Sequence, residues 1–193
     1  MNHNLLHREK LVLASKSPRR AEILTAAGWP FEVWTAGIDE TREPSEDAIT
    51  YVLRLARSKA EAVAERVGRG LVLGADTVVV IDGEILGQPG NRESAQTMLR
   101  KLSGKWHNVI TGVALVRAGT DRSIANHTTT RVRFSEMSDA EIDWYVATDE
   151  PLDKAGAYAI QGLAGIFITE IQGEYFNVVG LPVRMLYELS QTI

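Results

Sequence analysis

Cysteine is absent from this chain of 193 residues, which removes disulfides, thiolate zinc sites and a thiol nucleophile together. Histidine is scarce: the four residues, at 3, 7, 107 and 127, are too scattered for a zinc-type cluster. Any metal would rest on carboxylates, carbonyls, water or the four His, which points to a hard ion such as Mg²⁺. Long hydrophobic runs are lacking too. Leu71 to Ile81 is the longest; Asp76 interrupts it, and it is too short to span a bilayer. Residues 1–10 are polar, without the apolar stretch of a signal peptide, so the reading is a cytoplasmic protein with a mobile N-terminal tail. A formal net charge of −4 gives no broad basic surface, so neither a nucleic-acid polymer nor a membrane is expected as partner. A small anionic substrate would need a local cluster of cations. Several fingerprints are missing: the Walker-type phosphate loop, G-x-G-x-x-G, H-E-x-x-H and the G-x-S-x-G elbow. Gly104-Lys105 lacks the rest of a phosphate loop, and the Asn126-His127-Thr128 sequon has no meaning in the cytoplasm.

What is present is an alternation of strand-like and helix-like segments, which predicts an α/β or α+β fold in one continuous domain, 1–193. Leu11 to Ser15 reads as a buried strand. Ser17 as N-cap and Pro18 at the first helical position open a helix that runs to Gly28. Phe31 to Ala36 alternates like a strand. Ile49, Val52, Leu53, Ala56, Ala60, Val63, Ala64 and Val67 are spaced as the apolar stripe of a helix from about Ser45 to Val67. The strand Leu71 to Ile81 turns through Asp82-Gly83 into Glu84-Ile85-Leu86. A helix from Asn91 to Leu102 ends at Gly104, and Trp106 to Val116 pairs with Ser123 to Phe134. Ser138 to Glu141 is a capping box opening a helix. A glycine-rich stretch, 156–165, leads to a strand at Ile166 to Ile171, and a last helix begins near Leu181-Pro182.

Three places look chemically out of keeping with a plain scaffold. Ser15-Lys16-Ser17-Pro18-Arg19-Arg20 puts three cations and two hydroxyls where a strand meets a helix N-terminus. Unpaired N–H groups and the helix dipole already favour an anion there, so the cations oppose the dipole unless an anion joins them. The alternative is a capped helix with a solvated basic turn. Lys59 falls inside the apolar stripe, three residues after Ala56 and four before Val63. It either snorkels from the stripe's edge or directs its ammonium at phosphate or carboxylate. Asp76 interrupts a buried strand, either bonded to a nearby loop or as a metal ligand or general base. Asp39-Glu40 could bring a second carboxylate.

From residue 11 onward the chain resembles the Maf family of nucleoside triphosphate pyrophosphatases, named for septum formation. The resemblance rests on ordered blocks: Leu11–Arg20, Ile38–Glu40, Ala56–Ala60, Gly74–Val79, Ile85–Pro89, Gly156–Gly162 and Asn177–Pro182. It implies an α/β fold shared with inosine-triphosphate pyrophosphatases, an elongated mixed sheet flanked by helices with two lobes around a deep cleft, and often a homodimer. It implies that Ser15, Arg20, Glu40, Lys59, Asp76 and Gln161 match active-site positions, with Asp76 the catalytic proton acceptor. Glu40 and Asp76 would then hold Mg²⁺ (or Mn²⁺), and Ser15, Arg20 and Lys59 the polyphosphate. Arg19, Thr77 and Gln161 match the dTTP/UTP-specific subfamily. The expected activity is hydrolysis of dTTP and UTP to the monophosphate and pyrophosphate, including clearance of modified nucleotides. Alternatives are a pyrophosphatase for noncanonical purine or 7-methyl-GTP nucleotides, and a nucleotide-binding regulator of cell division. One position departs: Gln88 stands where the family often has Lys.

Overall fold

A computed structural model describes residues 9–193. The polar segment expected to be mobile therefore lies, for residues 1–8, outside the described residues. Among the described residues, seven strands form one mixed sheet in the order β2-β1-β3-β5-β6-β7, with β4 paired to β3. They are β1 (Leu11–Ala14), β2 (Phe31–Trp34), β3 (Gly70–Ile81), β4 (Glu84–Leu86), β5 (Trp106–Ala118), β6 (Ser123–Phe134) and β7 (Ile168–Gln172). The helices are α1 (Pro18–Ala26), α2 (Ala48–Val67), α3 (Arg92–Leu102), α4 (Asp139–Ala147), α5 (Tyr175–Val179) and α6 (Val183–Ser190). Strand β1 runs parallel to β2 and to β3, whereas β3–β4 and β6–β7 are antiparallel. Among the described residues no helix is long and apolar enough to cross a membrane.

The chain divides into two compact units. Among the described residues, the first comprises 9–76, 111–128 and 180–193, and the second 77–110 and 129–179. In the first, Leu11, Val12 and Leu13 are wholly buried, as are Val72 and Leu73 on β3. A strand buried on both faces reads as a continuous apolar run rather than an alternation. Each such Leu or Val contributes roughly 1.5–3 kcal/mol on burial. Helix α2 lays Ala56, Ala60, Val63 and Ala64 against Val12, Val72, Ala114 and Val116. Two glycines allow that contact. A Cβ at Gly74 would lie 2.0 Å from the Ala56 carbonyl oxygen, and one at Gly112 would lie 2.5 Å from that of Val52. The helix backbone thus presses directly onto the sheet.

The helix begins at Ala48 with Asp47 as its cap, accepting from the Thr50 N–H at 2.7 Å, rather than near Ser45. Residues 45 and 46 belong instead to the preceding loop, where Glu46 is bound by Arg54. Ile49, assigned to the buried stripe, is exposed, while Leu55 is buried. At α1 the expected positions of Ser17 and Pro18 hold, but the Ser17 hydroxyl makes no capping bond.

In the second unit, Val79, Leu99, Phe134, Tyr145 and Phe167 are core residues. The Asp82-Gly83 turn has φ of 50° and 80°, the paired positive torsions of a two-residue hairpin. Asn91 caps α3, and Ser138 with Glu141 forms the reciprocal capping box of α4. Three short 3₁₀ turns occupy Glu150–Asp153, Ala155–Ala157 and Leu163–Phe167, so the last strand starts at Ile168 rather than Ile166. Helix α5 was not anticipated.

Candidate active site

Gly74 and Asp76 are two apart on β3 and so share a face. Gly74 meets the α2 backbone at Ala56, and Lys59 lies one helical turn further along α2. This is why the two charges meet. Lys59 Nζ donates to Asp76 Oδ1 at 2.7 Å and stands 3.1 Å from Glu40 Oε1. Lys59 and Asp76 are 9% and 8% exposed, so neither charge is relaxed by bulk water. Lys59 is therefore buried between carboxylates, not snorkelling to solvent.

The junction between β1 and α1 supplies the cations. Arg20 is also buried; its Nε donates to the Gly180 carbonyl at 2.8 Å and its Nη1 to Ser15 Oγ at 3.1 Å. Ser15 Oγ additionally accepts the Ser17 N–H at 3.2 Å. The hydroxyl that organises the start of α1 is thus Ser15, two residues before the cap position. Of the three cations in this turn, Lys16 is exposed, Arg19 half-buried and Arg20 buried.

Burial pushes the Asp76 carboxyl above its ordinary range; the Lys59 and then the Arg20 charge pull it back, and Glu40 pushes with the burial. Burial presses the Arg20 guanidinium down, opposed first by Asp76; Arg19 adds to the lowering and Glu40 to the opposition. Asp76 is consequently a carboxylate whose affinity for a proton is raised while two cations face it. That combination suits a group that must accept a proton near neutral pH.

Glu40 is about half exposed, and its backbone is fixed by residues that the sequence did not flag. Tyr51 donates its hydroxyl to the Glu40 carbonyl at 2.8 Å. Arg54 reaches the Thr41 carbonyl at 3.0 Å and both carboxylate oxygens of Glu46, at 2.5 and 2.7 Å. Tyr51 and Arg54 sit three apart on α2, neighbours on one helix face. That spacing was the available signal. The Gly180 carbonyl that orients Arg20 had no signal beyond the Asn177–Pro182 block.

Thr77 follows Asp76 on β3 and is half-buried. Gln161 belongs to the second unit, exposed within the turn between the second and third 3₁₀ segments. Ser15, Arg20, Lys59, Asp76 and Glu40 are thus brought together within the first unit. Arg19 adjoins them in sequence, and Gln161 is carried by separate structure. Gln88, also in the second unit, is exposed and donates from Nε2 to the Asp153 carbonyl at 3.1 Å.

Among the described residues no three His, Cys, Asp or Glu side chains form a ready-made metal site. The two carboxylates that do converge, Glu40 and Asp76, share one cation, the Lys59 ammonium.

The family model of the Maf-like proteins matches residues 10–193. The chain belongs to the Maf-like family. A dTTP/UTP pyrophosphatase of Symbiobacterium thermophilum is 49% identical over 181 residues, covering 94% of this chain and 92% of that one. A dTTP/UTP pyrophosphatase of Bacillus anthracis is 48% identical over 183 residues, 94% of this chain and 95% of its own. Among solved structures, the Staphylococcus aureus Ham1 protein superposes with a TM-score of 0.54 at 15% identity, over 95% of this chain and 98% of its own. That likeness speaks to fold alone, and it agrees with a mixed α/β sheet flanked by helices. For this Maf-like chain the ordered sequence blocks and the clustering of Ser15, Arg20, Lys59 and Asp76 point to one region.

Proposed function

We propose that this protein is a nucleoside triphosphate pyrophosphatase that hydrolyses dTTP and UTP to the monophosphate and pyrophosphate. The observation that carries the reading is the buried Lys59–Asp76 pair, flanked by Glu40, Ser15 and Arg20, in a chain whose relatives at about half identity are named for that activity.

A triphosphate near neutral pH carries about four negative charges, so catalysis rests on neutralising and positioning them. Arg20 and Lys59 supply two cations in a site poor in water, where their interaction with phosphate is strongest. Ser15 contributes a hydroxyl whose position is fixed by Arg20 and the Ser17 amide. Asp76 accepts the proton of the water that attacks α-phosphorus, and its raised proton affinity makes it a better base than an ordinary carboxylate. The bond between α-phosphorus and its bridging oxygen then breaks, and pyrophosphate leaves against Arg20 and Lys59.

The donor set fits Mg²⁺, which characteristically takes one or two carboxylates and completes its shell with phosphate oxygens and water. Glu40 and Asp76 already converge on one positive charge, and they would hold the ion. When bound, it would supply Lewis-acid polarisation of the phosphate oxygens; Mn²⁺ accepts the same ligands. Arg19, Thr77 and Gln161 are assigned to reading the pyrimidine. A homodimer in the cytoplasm completes the proposal.

The test is incubation of the protein and an Asp76→Asn variant with Mg²⁺ and dTTP, UTP, CTP, 7-methyl-GTP or ITP, measuring pyrophosphate and orthophosphate separately. The expected result is pyrophosphate from dTTP and UTP, reduced about 10³-fold or more in the variant. The sign of the pH dependence follows from Asp76. Its protonated form cannot accept a proton, so kcat falls as pH drops through the Asp76 pKa, which burial raises and the neighbouring cations lower. Product chiefly from ITP or 7-methyl-GTP would overturn the substrate. Binding without turnover would favour a regulator, and undiminished Asp76→Asn activity would remove Asp76 from the mechanism.

A further inference from the structure

The turn that carries Gln161 is fastened from both sides by side chains outside the family blocks described above. Tyr145, wholly buried on α4, donates its hydroxyl to Glu150 Oε1 at 2.8 Å. The same hydroxyl accepts the Ala159 N–H at 3.3 Å. The other oxygen of Glu150, Oε2, accepts the Leu163 N–H at 3.1 Å. The two anchored amides lie two residues before and two residues after Gln161. One hydroxyl–carboxylate pair therefore spans the turn.

Gly162 gives a second, independent sign of the arrangement. Its φ and ψ are −158° and −159°, extended backbone that any residue adopts. Torsion therefore does not require glycine there. Space does: a Cβ at 162 would lie 2.3 Å from Glu150 Oε1 and 2.7 Å from Oε2. The position lacks a side chain because the Glu150 carboxylate fills that space. The start of the loop is fixed separately. Tyr158 shares a 2.8 Å hydrogen bond with His107 Nε2, and the Gly156 N–H donates to the Gly87 carbonyl at 3.0 Å.

We propose that Tyr145 and Glu150 are positioning residues for base recognition, holding the 159–163 turn so that Gln161 is presented in one conformation. The inference rests on the reading of Gln161 as a base-reading residue and adds what makes that reading selective. A neutral amide discriminates one base edge from another only if its own orientation is fixed. A turn free to shift by an ångström would satisfy either edge. The carboxylate is suited to the task because two acceptor oxygens can serve an O–H and an N–H at once. A Gln at 150 would have only one.

The experiment compares Glu150→Gln, Tyr145→Phe and Gly162→Ala with Gln161→Ala and wild type, using UTP and CTP, with circular dichroism to establish folding. The expected result is a fall of about tenfold or more in the UTP-to-CTP ratio of kcat/KM in all four variants, entering through KM for UTP. Simple loosening of the fold would lower kcat for both nucleotides alike and leave the ratio unchanged. If Glu150→Gln does not fold, Gly162→Ala decides, because it keeps every hydrogen-bonding group and only displaces the carboxylate. Folded positioning variants that keep the wild-type ratio, beside a Gln161→Ala variant that loses it, would overturn the positioning role and leave Gln161 in place. A Gln161→Ala variant as selective as wild type, or a wild type indifferent to the base, would overturn both.

Discussion

Each unit of the molecule buries a polar cluster, and the two are built on opposite electrostatic plans. In the first unit, Arg20, Lys59 and Asp76 are all below one-tenth exposed and all charged. In the second, His107 stacks edge-on against Phe134 and Tyr158, with ring centroids 5.2 and 5.3 Å away, and shares a hydrogen bond with the Tyr158 hydroxyl. Burial lowers the His107 pKa to about 4, so this second cluster is neutral at pH 7. A neutral aromatic pair buries apolar surface and leaves one polar atom, His107 Nδ1, without a hydrogen-bond partner among the described residues. Desolvating three charges is expensive even when they are paired. The chain can therefore build a polar core without ions. The ionic cluster is better understood as a cost accepted for chemistry than as a device for stability.

That contrast breaks first, and most strongly, if Lys59 and Asp76 prove to be structural. Lys59→Met leaves Asp76 buried with its nearest counter-charge removed, and should cost about 3–5 kcal/mol of stability. It should also abolish turnover. Adding Asp76→Asn to that variant should recover most of the lost stability while leaving activity absent, because the orphaned charge is gone. Chemical denaturation of the two single variants and the double variant measures this directly. A double variant as unstable as the sum of the singles would mean that packing, not unpaired charge, sets the loss.

This cluster was legible in sequence for a physical reason. A charge placed within an apolar period violates the pattern, and Lys59 and Asp76 both did so. The fold was legible where local chemistry decides it: the Asp82-Gly83 turn, the Ser138 capping box, and the apolar strand at 71–81. It was not legible where tertiary contact decides. The start of α2 was misplaced because the Glu46–Arg54 pair fixes the preceding loop, joining residues eight apart. Ser15 rather than Ser17 supplies the organising hydroxyl because its partner is Arg20, whose orientation depends on a carbonyl 160 residues away. Gly74 was read only as part of a motif. Its reason, the Ala56 carbonyl pressing on β3, exists only once helix and sheet have packed.

The neutral cluster makes a pH prediction of the opposite character. The folded-state pKa of His107, about 4, lies below the ordinary value of 6.5, so the unfolded chain binds the proton more readily. Stability from this site is thus complete above about pH 6.5 and is lost as pH falls towards 4. The loss at the acid end should reach about 3 kcal/mol. His107→Phe cannot take up a proton, so its Tm should fall less steeply between pH 7 and pH 4 than the wild-type Tm. It should be the less stable protein at pH 7, where the Tyr158 hydroxyl has lost its partner. Parallel Tm curves would mean that His107 takes up its proton as readily in the folded protein as in the unfolded one, and the contrast between the two clusters would disappear.

The smallest expected effect concerns Gln88, where the family often carries Lys. Its side chain is exposed and makes one bond, to the Asp153 carbonyl. A Lys ammonium can donate to the same oxygen. Gln88→Lys should therefore change stability by no more than about 0.5 kcal/mol. If a cation here acts on the triphosphate, the substitution should lower KM for UTP several-fold at low salt, and the gain should shrink as ionic strength rises. An unchanged KM at every salt concentration would place residue 88 outside the reach of the phosphates. The charge-neutralising work proposed for the site would then be left to Arg20 and Lys59.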